Sequence, residues 1–320
     1  LTVGGAEHQM IALTRGLLRR GYRVDFVCRS GAGPLDEAAR AAGARVVAIG
    51  ALPSWRRASA SGTTPLSNSE ESTHSRYVRR VGKQMRWVTT ARRMEYDIVD
   101  AWLSPNDIFA ALTRPLTRTP VVAAGRRNMR PRTGLGPATR PLLPVVNRLT
   151  DVVVANARIT ADFAIREEGV SASRMHVIRA GVELPRDFTE AERRAQRATL
   201  GAADGDLLIG SVGNFRSMKR HDLLIDAFAR LMAERPNLRL VLVGDGELRP
   251  EIEHQIEALG LEGRVVLTGT ATDLPPIYAA FDLFVQASNS ESLPNVVLEA
   301  AAASLPIVAT SAGGTSEVIK

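Results

Sequence analysis

Short apolar runs alternate with longer amphipathic stretches along nearly the whole chain. The apolar runs are continuous rather than alternating, which is typical of strands buried on both faces of a parallel sheet. The stretches between them repeat apolar residues at helical spacing, as at Leu224, Phe228 and Leu231. This alternation predicts an α/β fold in which helices cover parallel sheets. The predicted strands are 23–28, 44–49, 97–101, 120–124, 151–155, 207–213, 238–243, 264–268, 282–286 and 306–310.

The strands fall into two series, one before about residue 180 and one after about residue 205, separated by a charged, helix-like segment at 190–199. A length of 320 residues also fits two domains. We therefore predict an N-terminal domain at 1–184 and a C-terminal domain at 185–320. Because the chain opens on a glycine loop without a strand before it and stops where a helix would begin, we expect both ends to be truncated.

Composition excludes several classes of protein. With 45% hydrophobic and 23% charged residues, the chain is not a disordered tail. No apolar run reaches the roughly 18 residues that a membrane span needs. The single cysteine, Cys28, excludes a disulfide framework and a cysteine-based zinc site. Since the five histidines also lack metal-ligand spacing, we expect neither a metal nor a cofactor.

Charge is divided unevenly between the two halves. Residues 1–188 carry 29 Lys and Arg against 16 Asp and Glu, whereas residues 189–320 carry 12 against 18. Two interpretations stay open: a phosphorylated or membrane-borne ligand of the first half, or an arginine-rich compositional bias. The basic helix predicted at 76–93 either contacts anionic lipid peripherally or packs on its own sheet. Nucleic-acid binding is not expected, because aromatic residues do not interleave the basic ones.

A basic loop follows the strand at 207–213. Arg216, Lys219 and Arg220 lie beside the predicted start of a helix at about Asp222. The free N–H groups and the dipole of a helix N-terminus favour an anion, and the neighbouring cations add to that preference. The loop therefore predicts a phosphate site, with a solvated turn as the alternative.

Two carboxylates follow the strand at 282–286. Glu291 falls in the loop, and Glu299 falls on the next helix, whose first turn Pro294 is well placed to start. One carboxylate is suited to accept hydrogen bonds from a sugar and the other from a ribose. The amides of Leu293 and Asn295 are suited to cap anionic oxygens.

These residues carry a family resemblance. Glu291 and Glu299, with the segments 306–310 and 313–317 after them, resemble the E-x7-E region of the retaining glycosyltransferases of family four, which have the GT-B fold. The resemblance recurs at 4–7, 213–219 and 243–247 and covers essentially the whole chain. It implies two Rossmann-like domains facing across a cleft, with the first strand and the C-terminal helices missing here.

The resemblance also implies an activity. It is transfer of a sugar from a nucleotide diphosphate donor to a glycan or lipid-linked acceptor, with retention of configuration and without a metal. In that activity, Arg216 and Lys219 would hold the diphosphate and Glu291 the sugar hydroxyls, so these three form the expected catalytic set. The other donor-binding residues would be Gly4, Gly5, Asn214, Thr270, Ser292, Leu293, Pro294, Asn295 and Glu299.

Two departures from the family pattern affect this interpretation. Arg127 stands about where many relatives carry a histidine, and arginine cannot shuttle a proton. The acceptor side is therefore assigned only to Arg126, Arg127 and Asn128. Ser292 stands where glycine is common, which is expected to shift the backbone that contacts the donor sugar.

The sequence is compatible with three functions. The leading one is a cytoplasmic glycosyltransferase of surface polysaccharide or glycolipid synthesis, in peripheral contact with the inner face of the plasma membrane. The second is an epimerase or phosphorylase of the same fold. The third is a catalytically silent subunit that binds nucleotide sugars.

Overall fold

The computed structural model describes residues 5–28, 36–49, 73–129 and 137–319. Contacts divide the chain into two compact units. The first unit comprises Leu1–Gly125, Pro131–Val154 and Glu168–Met175, and the second comprises Arg126–Arg130, Ala155–Glu167 and His176–Lys320. All of the second predicted series of strands therefore lies in the second unit.

Up to residue 177, the described chain forms two sheets. The smaller pairs β1 (Asp25–Cys28) in parallel with β2 (Arg45–Ala48). The larger runs in the order β3 (Ile98–Trp102), β4 (Val121–Arg126), β5 (Val152–Ala155) and β6 (Met175–Val177), with β3 parallel to β4. The helices of this part are α1 (Gly5–Arg19), α2 (Asp36–Ala41), α3 (Thr73–Met94), α4 (Asn106–Thr117), α5 (Leu143–Leu149) and α6 (Arg158–Glu168).

Helix α3 contains the basic segment predicted at 76–93. Its Trp87, Val88 and Ala91 are buried in a cluster with Ile49. The indole of Trp87 also donates a hydrogen bond of 2.9 Å to Thr113 Oγ1. One face of α3 is thus packed within the first unit, as the second interpretation of the basic helix expects. Peripheral contact of this helix with a membrane stays a prediction.

The remaining chain forms one fully parallel sheet in the order β11-β10-β7-β8-β9. The strands are β7 (Leu207–Val212), β8 (Leu238–Val243), β9 (Val265–Gly269), β10 (Leu283–Gln286) and β11 (Ile307–Ala309). The helices are α7 (Glu190–Thr199), α8 (His221–Met232), α9 (Arg249–Ala258), α10 (Pro275–Ala280) and α11 (Asn295–Ala302), and a short 3₁₀ helix follows at Gly313–Glu317.

Both faces of this sheet are buried. Along β8, Leu240 and Leu242 belong to one core cluster, whereas Val241 and Val243 belong to the other. Successive side chains of a strand point to opposite faces, so a strand covered on both sides must be apolar at every position. This is why the strand sequence is a continuous apolar run.

All ten predicted strands are confirmed, as is the charged helix at 190–199. The prediction missed β6, whose three residues include the exposed His176 and Val177 and carry no apolar run. Leu224, Phe228 and Leu231 lie in one helix, α8, as their spacing predicts, but they are not equally buried. Leu231 is 45% exposed, and the buried stripe continues from Phe228 to Met232 instead.

Within the described residues, no helix combines the length and the apolar character that a bilayer span requires.

Candidate functional site

The order of the second sheet defines where a ligand can bind. The chain runs from β7 through β8 to β9 on one side, then crosses to the other side of β7 to form β10 and β11. This reversal creates a topological switch point between the carboxyl ends of β7 and β10, and open α/β sheets bind ligands at such points. Two loops leave the sheet there, at 213–220 and at 287–294.

The loop at 213–220 is anchored by Phe215. This side chain is fully buried, and its ring lies edge-on to that of His221, with the centroids 4.9 Å apart. Its backbone N–H donates a hydrogen bond of 3.0 Å to the carbonyl of Asp245. A short 3₁₀ turn at Ser217–Lys219 and a left-handed Arg220 then lead into α8. The anchored loop fixes the position from which Lys219 extends.

Two glycines of the loop after β8 pack closely against the backbone of the loop that carries Phe215. A Cβ added at Gly244 would lie 2.0 Å from the carbonyl oxygen of Gly213, and one added at Gly246 would lie 2.5 Å from that of Phe215. Gly244 also has a φ of +149°, which other residues rarely adopt. The glycines at 244 and 246 therefore permit close packing of two loops.

Lys219 and Glu291 form an ion pair at the switch point. Lys219 Nζ lies 2.6 Å from Glu291 Oε1, and the two side chains are only 20% and 10% exposed. Gln286, the last residue of β10, donates a second hydrogen bond of 3.0 Å from Nε2 to the same oxygen. The structure thus joins two of the three predicted catalytic residues. Sequence analysis missed Gln286, although a polar residue ending an apolar strand was a usable signal.

The loop at 287–294 is fastened to its neighbours on both sides. The amide of Asn289 donates a hydrogen bond of 2.9 Å to the carbonyl of Met218, which ties it to the loop that carries Lys219. On the other side, Thr310 Oγ1 donates to the carbonyl of Ser288. Lys219 and Glu291 are therefore held on backbones that are directly linked.

Two glycines beyond β11 pack against the backbone of Glu291 and Ser292. A Cβ at Gly313 would lie 1.7 Å from the carbonyl oxygen of Glu291, and one at Gly314 would lie 1.8 Å from that of Ser292. Gly313 also has a φ of +52°. Only glycine fits at these positions without displacing the loop that carries Glu291.

Ser292 joins the loop at 287–294 to α6 and to the residues just before it. Its Oγ donates a hydrogen bond of 2.6 Å to Asn156 Oδ1 and lies 2.6 Å from Thr160 Oγ1. Close by, the carboxylate of Glu317 accepts hydrogen bonds from the amides of Arg158 and Ile159 at the start of α6. The hydroxyl of Ser292 thus fastens the loop at 287–294 to α6, all within the second unit.

The predicted ribose site lies on α11. Leu293 and Pro294 are buried just before this helix, and Asn295 is its first residue. The N-cap residue of α11 is Pro294, whose side chain makes no capping hydrogen bond, and such a helix start suits an anion. On the same helix, Glu299 Oε2 accepts a hydrogen bond of 2.8 Å from the hydroxyl of Tyr278 on α10. Burial and the neighbouring carboxylate of Glu299 raise the pKa of Tyr278.

Other predicted donor residues lie apart from the ion pair. Arg216 is exposed and lines a cleft of about 210 Å³ between α8 and α9, a cleft to which neither Lys219 nor Glu291 contributes. Asn214 is exposed in the loop after β7, and Thr270 is exposed directly after β9. The backbone N–H of Lys219 donates a hydrogen bond of 2.9 Å to the carbonyl of Arg216, but the side chain of Arg216 lines a separate cleft from the described contacts of Lys219 and Glu291.

The N-terminal candidates are less fully described. Gly4 lies outside the described residues, and Gly5 is the first residue of α1. Arg126 ends β4 with its side chain only 1% exposed, and its carbonyl accepts a hydrogen bond of 3.2 Å from the amide of Asn156. Arg127 and Asn128 are half-buried. The segment 52–75 is rich in Ser, Thr and Pro, a composition that predicts a mobile loop or an inserted linker. Positions 52–72 of this segment lie outside the described residues, and α3 begins at Thr73.

The arrangement offers the partly buried ammonium of Lys219 and the buried carboxylate of Glu291, on loops that each lead into a helix. In the part of the chain that the structure describes, no three His, Cys, Asp or Glu side chains are grouped to hold a metal ion. Asp204 and Asp206, which resemble a metal-binding D-x-D, pair instead with Arg194 and Arg239. Such a site is suited to bind a ligand that carries both an anion and hydroxyl groups.

Two family models match most of this chain, and solved structures share its fold. The model described as Glycosyltransferase Family 4 matches residues 3–186, and the model described as Glycosyl transferases group 1 matches residues 192–320. A crystal structure of HepE from Anabaena, in complex with UDP and glucose, is similar in fold, with a TM-score of 0.79 at 23% identity. The match covers 99% of this chain and 80% of that chain.

Two curated proteins show similarity in sequence. The Vi polysaccharide biosynthesis protein VipC/TviE of Salmonella typhi is 30% identical over 235 residues, which cover 71% of this chain and 40% of that protein. Mannosylfructose-phosphate synthase of Agrobacterium fabrum is 32% identical over 187 residues, which cover 55% of this chain and 41% of that protein. The matched part of this chain thus spans about two fifths of the length of each of these relatives.

Proposed function

Because the chain belongs to the group 1 glycosyltransferases of glycosyltransferase family 4 and has their two-domain, Rossmann-like GT-B fold, we propose that it transfers a sugar from a nucleotide diphosphate donor. The acceptor is a glycan or a lipid-linked or phosphorylated molecule, and the configuration of the sugar is retained. The observation that carries this proposal is the pair of Lys219 and Glu291 at the switch point of the second sheet.

Lys219 is proposed to bind the donor's diphosphate. Its side chain is 20% exposed and leaves the backbone two residues before α8 begins, so an incoming anion meets a positive charge with little water around it. Negative charge builds on the diphosphate as the bond to the sugar breaks. A fixed ammonium stabilises that charge more than it stabilises the bound donor, which lowers the barrier. No metal ion is needed for this role.

Glu291 is proposed to bind hydroxyl groups of the donor sugar. A carboxylate accepts hydrogen bonds through two oxygens, and the described contacts to Lys219 and Gln286 both use Oε1. Glu299 is proposed to accept from the ribose, while the amides at the start of α11 face the diphosphate. Thr270 is placed near the nucleobase in this scheme, as the family resemblance implies.

The remaining candidate residues are proposed to make secondary contacts with the donor or the acceptor. The exposed side chain of Arg216 must reorient on donor binding to reach the diphosphate, so Lys219 is assigned the main share. Asn214, Gly4 and Gly5 stay as proposed contacts of the donor. Arg126, Arg127 and Asn128 are proposed for the acceptor side, where they supply positive charge and hydrogen-bond donors but no proton shuttle.

The names of the relatives suggest the acceptor class. One similar protein is named for biosynthesis of a polysaccharide, and another is named as the synthase of a sugar phosphate. A sugar phosphate presents hydroxyls beside negative charge, which suits the basic first part of the chain.

A donor screen followed by a transfer assay tests the proposal. Thermal stabilisation by UDP-, GDP- and ADP-sugars identifies the donor, because a ligand that binds the folded state raises its stability. The protein is then incubated with that donor, with and without acceptor extract. A glycosylated product with retained anomeric configuration, seen by NMR only with acceptor, supports the proposal.

The same assay separates the two rival functions. An epimerised sugar formed without acceptor indicates an epimerase of this fold, and release of sugar phosphate on adding inorganic phosphate indicates a phosphorylase. Donor binding without turnover in any extract indicates a silent binding subunit.

A further inference from the structure

Gln286 makes a contact to which the proposed function gives no role. It is 5% exposed at the end of β10, and its Nε2 lies 3.0 Å from Glu291 Oε1. That oxygen is also the partner of Lys219 Nζ at 2.6 Å. Within the described residues, the carbonyl oxygen Oε1 of Gln286 is buried without a hydrogen-bond partner. The contact to Glu291 is therefore the one hydrogen bond that the structure gives to this side chain.

Donor binding places competing demands on Lys219. In the protein alone, its ammonium neutralises the buried carboxylate of Glu291. When a diphosphate arrives, the same ammonium is drawn toward a second anion of higher charge. A buried carboxylate that loses its partner is strongly destabilised and tends to move or to take up a proton. Glu291 must instead stay ionised and in place to accept hydroxyls from the sugar.

We propose that Gln286 is a positioning residue, whose amide holds the carboxylate of Glu291 in place while the donor's diphosphate engages Lys219, and which thereby sets the affinity for the donor's sugar. This inference rests on the proposed function, because it takes the ligand of Lys219 to be a diphosphate and that of Glu291 to be the attached sugar.

An amide at position 286 is chemically suited to this task. It donates a hydrogen bond to a carboxylate but carries no charge, so it does not compete with Lys219 for the diphosphate. Its backbone is fixed, since β10 pairs with β11 at Gln286 and the carbonyl of Gln286 accepts a hydrogen bond of 3.0 Å from the amide of Thr310. A donor on a fixed strand holds a loop carboxylate more firmly than a flexible lysine does.

The test compares the binding of a nucleotide with the binding of its sugar conjugate. Calorimetry gives the Kd of UDP and of UDP-glucose, or of whichever nucleotide and sugar conjugate the donor screen selects, for the intact protein and for Gln286→Met. We expect the Kd for the bare nucleotide to change by less than about twofold. We expect the preference for the sugar conjugate to fall about tenfold, the typical effect of losing a hydrogen bond to a charged group.

A matched control separates this role from a general loss of packing. Gln255 on α9 also donates from its side-chain amide, with a bond of 2.7 Å to Asp226 Oδ1, and its described hydrogen bonds go to Asp222 and Asp226 rather than to Lys219 or Glu291. Gln255→Met should leave both Kd values unchanged. If Gln286→Met lowers the two affinities equally, or keeps the sugar preference intact, the positioning role is refuted.

A second variant covers the case in which Gln286→Met folds poorly. Gln286→Glu places a carboxyl against Glu291, with Lys219 as the third charged group in contact. Two adjacent carboxyls share a proton at low pH and repel when both are ionised. The sugar preference of this variant should therefore recover as the pH falls from 8 to 5.5, and a flat profile contradicts the proposal. If the wild-type protein shows no sugar preference with any donor, the proposed function and this inference both fail.

Discussion

The hydroxyl of Tyr278 donates a hydrogen bond of 2.8 Å to Glu299 Oε2 and so orients the carboxylate proposed to bind the ribose. Tyr278 is only 2% exposed, and its ring packs against Phe281 and Phe284 in the core of the second unit. Packing thus fixes the ring of Tyr278, and the hydrogen bond from its hydroxyl orients the carboxylate of Glu299.

Removing this hydroxyl should weaken nucleotide binding. In Tyr278→Phe, Glu299 loses a donor while the ring and its packing remain. We expect the Kd for the nucleoside diphosphate to rise about five- to tenfold, as for loss of one hydrogen bond to a charged group. Calorimetry with a 2′,3′-dideoxy nucleotide provides the control, because a ligand without ribose hydroxyls should bind both proteins equally. An equal loss for both ligands would show that the phenol acts only on packing.

Lys219→Ala should weaken binding of the nucleoside diphosphate much more than it lowers the melting temperature. The ammonium is the main proposed contact of the diphosphate, and hydrogen bonds between charged groups are worth about tenfold or more in affinity. Arg216→Ala is the comparison, since that side chain is exposed and lines a different cleft. An unchanged Kd for Lys219→Ala would contradict the phosphate role.

Glu291→Ala should separate the two parts of the donor. It removes the proposed sugar contact and also releases Lys219 from its ion pair of 2.6 Å. The bare nucleoside diphosphate should therefore bind as tightly as before or more tightly, whereas the additional affinity for the sugar conjugate should disappear. Calorimetry with both ligands measures this difference. Equal weakening of both would argue against the assignment of Glu291.

Gly313→Ala should destabilise the protein by about 2 kcal/mol, because the new Cβ overlaps the carbonyl oxygen of Glu291 and φ at this position is +52°. The matched change is Gly16→Ala inside α1, where the added Cβ has no described atom within 4 Å apart from the backbone of its own helix and its chain neighbours. That variant should gain about 0.5–1 kcal/mol from helix propensity. Thermal or chemical unfolding of the two variants compares these changes, and a neutral Gly313→Ala would mean that the loop at 287–294 yields easily.

Acidification should destabilise the protein through His221. Burial, with the nearby charge of Lys219, lowers the pKa of His221 from 6.5 to about 4. Between these values the unfolded chain binds a proton that the folded protein does not, so stability falls as the pH drops from about 6.5 to about 4. The full effect is up to about 3 kcal/mol. Urea unfolding at pH 7 and pH 5 should show this slope in the wild type and a reduced slope in His221→Phe.

The sequence by itself determined the alternation of buried strands and covering helices. A strand buried on both faces has to be apolar throughout. The sequence of β8 meets this requirement and can be recognised as such a strand without knowing which strands pair with it. Because the strands could be recognised in this way, the sequence also showed that Lys219 and Glu291 each follow a strand. The three-residue β6 was not, because its two exposed residues leave no apolar run.

Only the tertiary structure decided which of the candidate side chains meet. Lys219 and Glu291 are 72 residues apart, and they form a pair because β7 and β10 are neighbours in the sheet. The contact between Gln286 and Glu291 is local by contrast, because the two residues are five positions apart at the end of β10 and in the loop after it. Arg216 is only three residues before Lys219, yet it lines a cleft to which Lys219 does not contribute. The apolar pattern of a segment indicates how that segment is buried. Contacts between distant segments depend on the order of the strands in the sheet, which the pattern of a single segment does not determine.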